Sequence, residues 1–259
     1  MEIITSRNNP SVKAAASLRE TKERKRTGLF LLEGARLCAD AALNGVTVTE
    51  FFVTEKAAEK YGKEFSLLKE RSERSFFINE SVAEKLTDTK NSQQFFAVCR
   101  EKETSPVIDT SGMYVFTDNI QNPDNLGAIA RTAEALGADG IIVNSGCDIH
   151  SPKALRASMG ALIRFPVIRA DDIKALLTEL REKNMQILSS VVDPDAASIA
   201  DLSFVNGGVL VIGNEGNGVS KEVLELSTGT VTIPMKGKAE SLNASAAATI
   251  LIWEFMKNK

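Results

Sequence analysis

Three stretches of the chain place polar and glycine residues where an apolar run ends, which is where side chains and backbone can meet a ligand. The first is Asp118-Asn-Ile-Gln-Asn-Pro-Asp-Asn-Leu-Gly-Ala-Ile-Ala-Arg131, which follows the apolar Tyr114–Thr117. Asn122-Pro123 initiates a turn, and Asn125 stands where a helix N-cap belongs. Arg131 lies six residues beyond Asn125, nearly two helical turns, where its fork could reach over the strand ends. By itself this stretch reads equally as a capped helix with a surface arginine. The second, Gly213-Asn-Glu-Gly-Asn-Gly218, has three glycines in six residues, enough for tight turns and close backbone approach to a ligand. Its GxxGxG spacing is neither the dinucleotide GxGxxG nor the phosphate-binding GxxxxGK[ST]. Glu215 inside the turn would repel a pyrophosphate, so a nucleotide-dependent oxidoreductase lacks the loop it needs. The third runs from Ile233-Pro-Met through Ser241-Leu-Asn243 to Ala248. Pro234 ends a strand, a polar loop follows, and a small-residue helix starts near Leu242, with Trp253 and Phe255 as core or interface residues.

Other chemistries are excluded by what is missing. Cys38, Cys99 and Cys147 are odd in number and far apart, which argues against a disulfide framework and a CxxC metal site. With His150 as the one histidine, a zinc protease motif or a Ser-His-Asp triad around any other histidine is impossible. In the setting GCDIHSP it reads as a solvated loop residue ahead of a catalytic one, and no metal is expected. With 43% hydrophobic and 25% charged residues, the 259-residue chain has the composition of a globular protein. No apolar run approaches the roughly 20 residues of a membrane span, and MEIITSRNNPSVK has no signal-like stretch, so a cytoplasmic location is expected. The net charge of −3 hides an asymmetry. Residues 1–30 hold seven basic residues against three acidic ones, a net of +4, leaving −7 for the rest. Such a basic arm suits contact with a phosphate backbone through Arg7, Lys22, Arg24, Lys25 and Arg26, or forms a solvated helix face.

The elements that must position these residues fall into two groups. Up to about residue 103 the chain reads as a small α/β unit with strands at Leu29–Leu32, Phe51–Val53, Phe76–Ile78 and Phe95–Cys99, separated by helical segments. EKETSPVIDTS at 101–111 breaks the rhythm and reads as a linker. From Met113 onward strands alternate regularly with helices. Strands are expected at Tyr114–Thr117, Gly140–Val143, Val167–Arg169, Gln186–Val191, Gly208–Ile212 and Thr230–Ile233. Helices are expected at Asn125–Leu136, Pro152–Ala161, Asp171–Lys183, Ser220–Ser227 and Leu242–Lys257. Continuously apolar strands such as GVLVIG belong to a parallel sheet covered on both faces, whose ligands sit at the carboxyl ends of the strands.

Taken together and in this order, the three stretches resemble the signature motifs of the SpoU (TrmH-like) RNA ribose 2′-O-methyltransferases of the SPOUT superfamily. The matching pieces are Asn-Pro-x-Asn-x-Gly-x-x-x-Arg at 122–131, Gly-Asn-Glu-Gly-x-Gly at 213–218, and Ile-Pro-Met with Ser-Leu-Asn at 233–243. The likeness covers about Met113 to Lys257 and includes Ala157-Ser-Met-Gly-Ala161; Asn122 stands where the family often has Asp. The N-terminal SRNNPxVK…GLFLLEGxRL looks like the substrate-binding domain of ribosomal-RNA-modifying members.

The resemblance implies an α/β fold: a trefoil-knotted parallel-sheet domain at 104–259 behind a smaller α/β substrate-binding domain at 1–103. The knot would be formed near Ser189–Val191, Gly213–Gly218 and Ile233–Leu242. It implies S-adenosyl-L-methionine held at Gly213, Ile233, Met235 and Leu242, and in-line attack of a ribose 2′-hydroxyl on its methyl group. Arg131 corresponds to the family's proposed base. A guanidinium keeps its proton above pH 12, however, so its role is better written as gripping phosphate and the developing alkoxide. The proton then leaves to phosphate, water or Glu215. Asn125 would orient Arg131 or the ribose, Glu215 and Asn243 complete the site, and Ser241 helps. Family members act as homodimers whose sites draw on both chains. The implied substrate is ribosomal RNA ahead of tRNA, and the rival from another class is an RNA-binding homologue without catalysis.

Overall fold

A computed structural model of the chain describes residues 1–101, 107–201 and 207–257; the centre of the expected linker, 102–106, lies outside them. The first elements are β1 (Glu2–Ile4), α1 (Pro10–Ser17), α2 (Thr21–Thr27), β2 (Leu29–Glu33), α3 (Ala35–Leu43) and β3 (Val48–Val53). There follow α4 (Glu55–Lys60), α5 (Gly62–Arg71), β4 (Ser72–Ile78), α6 (Glu80–Leu86), β5 (Phe95–Arg100), β6 (Met113–Thr117), α7 (Pro123–Ala135) and β7 (Gly140–Val143). Next come α8 (Pro152–Ala157), α9 (Ala161–Arg164), β8 (Val167–Arg169), α10 (Ile173–Glu182) and β9 (Gln186–Ser190). The chain closes with β10 (Ala197–Ser198), β11 (Gly208–Ile212), α11 (Lys221–Leu226), β12 (Gly229–Thr232) and α12 (Ala244–Met256). Two compact units result: 1–103 with 150–164, and 104–149 with 165–259.

The first unit has a five-stranded mixed sheet ordered β1-β4-β3-β5-β2, in which β5 runs antiparallel to both β2 and β3. Leu31, Phe52, Phe76, Phe96 and Val98 project from these strands into one core with Val12 of α1 and Val82 and Leu86 of α6. The segment 150–164, which the sequence reading assigned to the second domain, packs in this unit. Leu155 and Leu162 are buried, Arg156 pairs with Asp88 at 2.8 Å, and Arg164 pairs with Asp40 at 3.3 Å. The expected single helix 152–161 is broken between α8 and α9, where Met159 has φ +49 and Gly160 φ +88.

Two residues behave differently from their sequence reading. His150 is not solvated: it is 8% exposed, its ring stacks on Phe30 at 4.2 Å, and Nδ1 lies 2.7 Å from Glu101. Arg24 does not face solvent with the rest of the basic arm. It is 2% exposed, and its guanidinium donates to the Leu18 and Arg19 carbonyls at 2.7 Å and to Thr21 Oγ1 at 3.0 Å. A guanidinium spent on carbonyls inside the fold cannot reach a phosphate, so Arg24 leaves the candidate RNA surface. Arg7, Lys22, Lys25 and Arg26 are exposed, and Arg26 is paired with Glu23 at 2.7 Å.

The second unit contains a seven-stranded, wholly parallel sheet ordered β10-β12-β9-β11-β6-β7-β8. β6 and β11 are buried along their whole length, as central strands covered on both faces must be. Their register pairs Ile212 with Thr117, so the loops leaving them start side by side. Because every strand of this sheet points the same way, the loops after β6, β11 and β12 share its carboxyl end. Helix α7 starts at Pro123, two residues earlier than expected, with its N-cap at Asn122 instead of Asn125, because Asn122 accepts from Asp124 N–H and proline suits the first helical position. Likewise α12 starts at Ala244 and is capped by Asn243. The short edge strands β1 and β10 were not expected; at three and two residues they carry too little pattern. Among the described residues no helix is long and apolar enough to cross a membrane.

Arg24→Ala should lower unfolding stability by roughly 2–4 kcal/mol, since it strands buried carbonyls that a charged donor now satisfies. Lys25→Ala on the same helix should stay within about 0.5 kcal/mol of the parent. Denaturant melts of both variants make the comparison.

Candidate active site

The loop after β11 is folded tightly on itself. Asn214 and Gly218 exchange main-chain hydrogen bonds of 2.9 and 3.0 Å, and Asn214 Oδ1 accepts from the Gly216 and Asn217 N–H groups. Gly218 has φ +69, and a Cβ on Gly213 would lie 2.3 Å from the Gly218 carbonyl carbon, so both positions need glycine. The turn thrusts Glu215 toward the start of α7. Its carboxylate accepts from Gln121 N–H at 3.0 Å, Asn122 N–H at 3.0 Å and the Asn125 side-chain amide at 2.9 Å. The Asn125 oxygen in turn accepts from Asn243 Nδ2 at 3.3 Å, while Asn243 Oδ1 caps α12 through Ser245 and Ala246 N–H. Three residues from three separate stretches of sequence thereby form one chain of hydrogen bonds.

This arrangement fixes the charge of Glu215. Burial pushes its carboxyl up, but the hydrogen bonds from Gln121, Asn125 and Asn122 outweigh it and hold it below the ordinary carboxylate range. A carboxylate so held is ionised at neutral pH and weakly basic, which makes it an organiser of the loops and a poor proton acceptor.

A second network, to which the sequence reading gave no role, lies behind the first. Asp118, at the end of β6, is 2% exposed; Oδ1 accepts from Asn144 Nδ2 at 2.8 Å and Oδ2 from Ser220 N–H at 2.7 Å. Asn144 Oδ1 accepts from Asn119 N–H at 2.9 Å, and Asn214 Nδ2 donates to the Asn119 carbonyl at 2.8 Å. Asn119 itself has φ +56. Asp118 thus ties the ends of β6 and β7 to the loop after β11. The available signal was a carboxylate placed immediately after the largely apolar run MYVFT, where burial demands partners.

A cavity of about 480 Å³ opens beside these loops. It is lined by all four expected cofactor positions, Gly213, Ile233, Met235 and Leu242, together with Glu215 and Ser241. Ser190–Val192 at the end of β9 and Leu251 of α12 complete the wall, and of these the sequence reading touched only the first stretch. From Pro234 to Leu242 the main chain makes no hydrogen bond to the described residues, and Met235, Glu240, Ser241 and Leu242 of this stretch line the cavity. Apolar walls with unspent backbone donors and acceptors suit a flat heteroaromatic base joined to a polar tail.

Arg131 stands apart from this cluster. It is exposed on α7 and makes no hydrogen bond or ion pair with the described residues. Six residues of helix carry it about 9 Å along the axis and about 240° around it from Asn125. Cys147, half-buried nearby, has its thiol pushed to about 11 by burial and the Glu215 charge, so it is no nucleophile. No group of three or more His, Cys, Asp or Glu among the described residues could hold a metal.

Comparison with known proteins matches residues 112–253 to the model of the SpoU rRNA Methylase family and residues 9–97 to the MRM3-like substrate binding domain. A Bacillus subtilis protein named 23S rRNA (guanosine(2553)-2'-O)-methyltransferase RlmP is 30% identical, with 98% of each chain covered. A 23S rRNA (uridine(2479)-2'-O)-methyltransferase of Streptomyces viridochromogenes is 29% identical, covering 99% of this chain and 92% of that one. The crystal structure of an AdoMet-bound rRNA methyltransferase from Sinorhizobium meliloti superposes with a TM-score of 0.87 at 26% identity, covering 99% and 98% of the two chains.

Replacing Glu215 by Gln should alter the acid limb of stability. The folded carboxyl is depressed below the ordinary 4.5, so the stability it confers is fully present above about pH 4.5 and is lost as pH falls through the folded value. The gap between parent and Glu215→Gln should therefore be constant above pH 4.5 and close below it, as measured by denaturant melts across pH. A gap independent of pH down to the acid transition would rule the arrangement out.

Proposed function

The chain belongs to the SpoU rRNA methylase family and is an S-adenosylmethionine-dependent RNA ribose 2′-O-methyltransferase acting on ribosomal RNA, and from that premise we propose how its own residues divide the work. The observation that carries the assignment is the convergence of the 213–218 and 233–242 loops on one cavity, with Glu215, Asn125 and Asn243 linked at its edge. When bound, S-adenosylmethionine supplies a methyl group on a sulfonium, already activated for in-line displacement. The chain therefore has to hold two atoms in line and let one proton go.

Gly213, Ile233, Met235 and Leu242 are the residues placed to hold the cofactor, the loops contributing chiefly backbone groups. Glu215 keeps the start of α7 against the β11 loop, and through Asn125 and Asn243 it sets where α12 begins. Ser241 stands on the cavity wall as a further polar contact. Arg131 keeps its proton, so it serves by gripping substrate phosphate and the alkoxide that develops on the ribose. Since Glu215 is weakly basic and already accepts three hydrogen bonds, the 2′-hydroxyl proton leaves to substrate phosphate or water.

The position of Arg131 supports an active homodimer. Among the described residues it has no partner at the Asn125 cluster, whereas α12, which packs against α7, exposes Ile250 and Trp253, the latter 59% accessible. A second copy seated on that face would bring its Arg131 to the cavity, and small alanines along α12 allow the close approach. Residues 104–149 and 165–259 serve as the methyltransferase domain, with Ser189–Val191, Gly213–Gly218 and Ile233–Leu242 read as the crossings of a trefoil knot. Residues 1–103 serve to dock RNA, with Arg7, Lys22, Lys25 and Arg26 on the phosphate backbone. The large subunit is the proposed source of that RNA and the cytoplasm the place of action.

Arg131→Ala should lower methyl transfer to rRNA by about 10²–10³-fold, the cost of removing one donor from a developing anion, while cofactor affinity by calorimetry stays near the parent value. Arg131→Lys should recover little, because a point charge cannot copy the fork. Near-normal turnover of Arg131→Ala would remove the catalytic assignment.

Mixing Arg131→Ala with Gly213→Val, which breaks the loop that forms the cavity wall, tests the shared site. If each site takes its cavity from one chain and its arginine from the other, exchanged mixtures should regain about a quarter of parent activity. Mixtures as inactive as their components, with subunit exchange shown by mass, would place Arg131 in its own chain's site.

A further inference from the structure

The first unit contains a cavity of about 580 Å³ that the methyl-transfer chemistry leaves unused. Its floor is apolar, from Leu37 of α3 and Leu155 of α8, and Met159 stands at its wall, about half exposed and held at φ +49. A non-glycine residue held in that left-handed conformation next to a cavity is the kind of local strain found at ligand sites. Asn91 and Gln93 add amide groups to the lining. Gln93 Oε1 is taken by Ala35 N–H at 2.7 Å, which leaves its NH₂ to donate, and Asn91 makes no hydrogen bond with the described residues.

The charges around the cavity are almost all spent. Glu33 accepts from Asp88 N–H at 2.9 Å and Thr89 Oγ1 at 2.6 Å, and Asp40 and Arg156 are held in ion pairs with Arg164 and Asp88. Arg36, exposed at the N-terminal turn of α3, is in no ion pair with the described residues. Apolar side chains, two amide groups and a guanidinium outside any ion pair with the described residues are the three features that recognise an unstacked nucleotide through its base face, base edge and phosphate. The volume lies within the roughly 300–1,000 Å³ of pockets that take small organic groups. The matched substrate-binding domain spans Glu33–Asp40 and Thr89–Gln93.

We propose that this cavity receives one unstacked nucleotide of the RNA substrate, away from the ribose that is methylated, with its base between Leu37 and Met159, its edge on Asn91 and Gln93, and its phosphate on Arg36. The proposal rests on the rRNA-methyltransferase reading for the identity of the RNA. An extruded nucleotide bound here selects among RNA folds and fixes the register in which the target ribose is presented.

Filter binding of deproteinised large-subunit rRNA from cells lacking this gene tests it, with the full-length parent and three variants. Asn91→Ala is a surface change that leaves the fold intact, and Leu37→Trp fills the cavity. Each should weaken rRNA binding about tenfold with an unchanged salt slope, while S-adenosylmethionine affinity stays at the parent value. Arg36→Ala should weaken binding and reduce the slope of log affinity against log salt by about one. Affinity within twofold of the parent for all three would overturn the proposal and leave the cavity to a small molecule or a protein partner. Methyl incorporation is read separately in the same samples. A parent that binds rRNA through this cavity yet methylates none sinks the methyltransferase reading alone; one that methylates rRNA with all three variants binding normally sinks the cavity proposal alone.

Discussion

A single carboxylate joins the loops of the second unit. Glu215 sits at the tip of the turn after β11 and accepts hydrogen bonds from two main-chain N–H groups and one side-chain amide at the start of α7. Those N–H groups belong to the exposed approach to a helix, where donors otherwise depend on water, and an anion there is favoured by the helix dipole as well. Because Asn125 passes the contact on to Asn243, the same carboxylate also bears on where α12 starts and hence on the far wall of the cavity. The register of β6 against β11 makes this possible, since it delivers Thr117 and Ile212 side by side at the sheet's carboxyl end.

The chemistry follows from what these contacts leave over. A carboxylate committed to three donors cannot also be a strong base, and a guanidinium cannot lose its proton. Neither Glu215 nor Arg131 is therefore suited to proton abstraction. Alignment and charge stabilisation are the parts left to the protein, in keeping with a methyl donor that needs no activation. Asp118 belongs to the same logic one layer down: buried and doubly hydrogen-bonded, it keeps the loop ends fixed so that Glu215 meets its donors.

The parts of this arrangement governed by local pattern were legible in the sequence. Gly140–Val143, Val167–Arg169 and Gly208–Ile212 appear at the residues their apolar runs indicate, while Gly213, Ile233, Met235 and Leu242, which only the family resemblance pointed to, line one cavity. What could not be read depended on tertiary partners. Arg24 and its neighbour Lys25 look alike in KERKR, and only the placement of the Leu18 and Arg19 carbonyls distinguishes them. His150 resembles a loop residue until Phe30 and Glu101 close on it. The segment 150–164 joins the first unit because of ion pairs and packing with residues more than sixty positions away, which no local periodicity encodes. Asn122 displaces Asn125 as the cap because Pro123 fixes the first helical φ, freeing Asn125 to serve the site.

The central claim is that Glu215 is a hydrogen-bonded anion that holds the loops, and a titration of its own carboxyl tests it most directly. With the glutamate side-chain carboxyl carbons labelled and Glu215 assigned by its substitution, a ¹³C NMR titration should give a midpoint below 4.5 in the parent. Removing one donor with Asn125→Leu should move that midpoint upward. A parent midpoint at or above 4.5, unmoved by Asn125→Leu, would contradict the account.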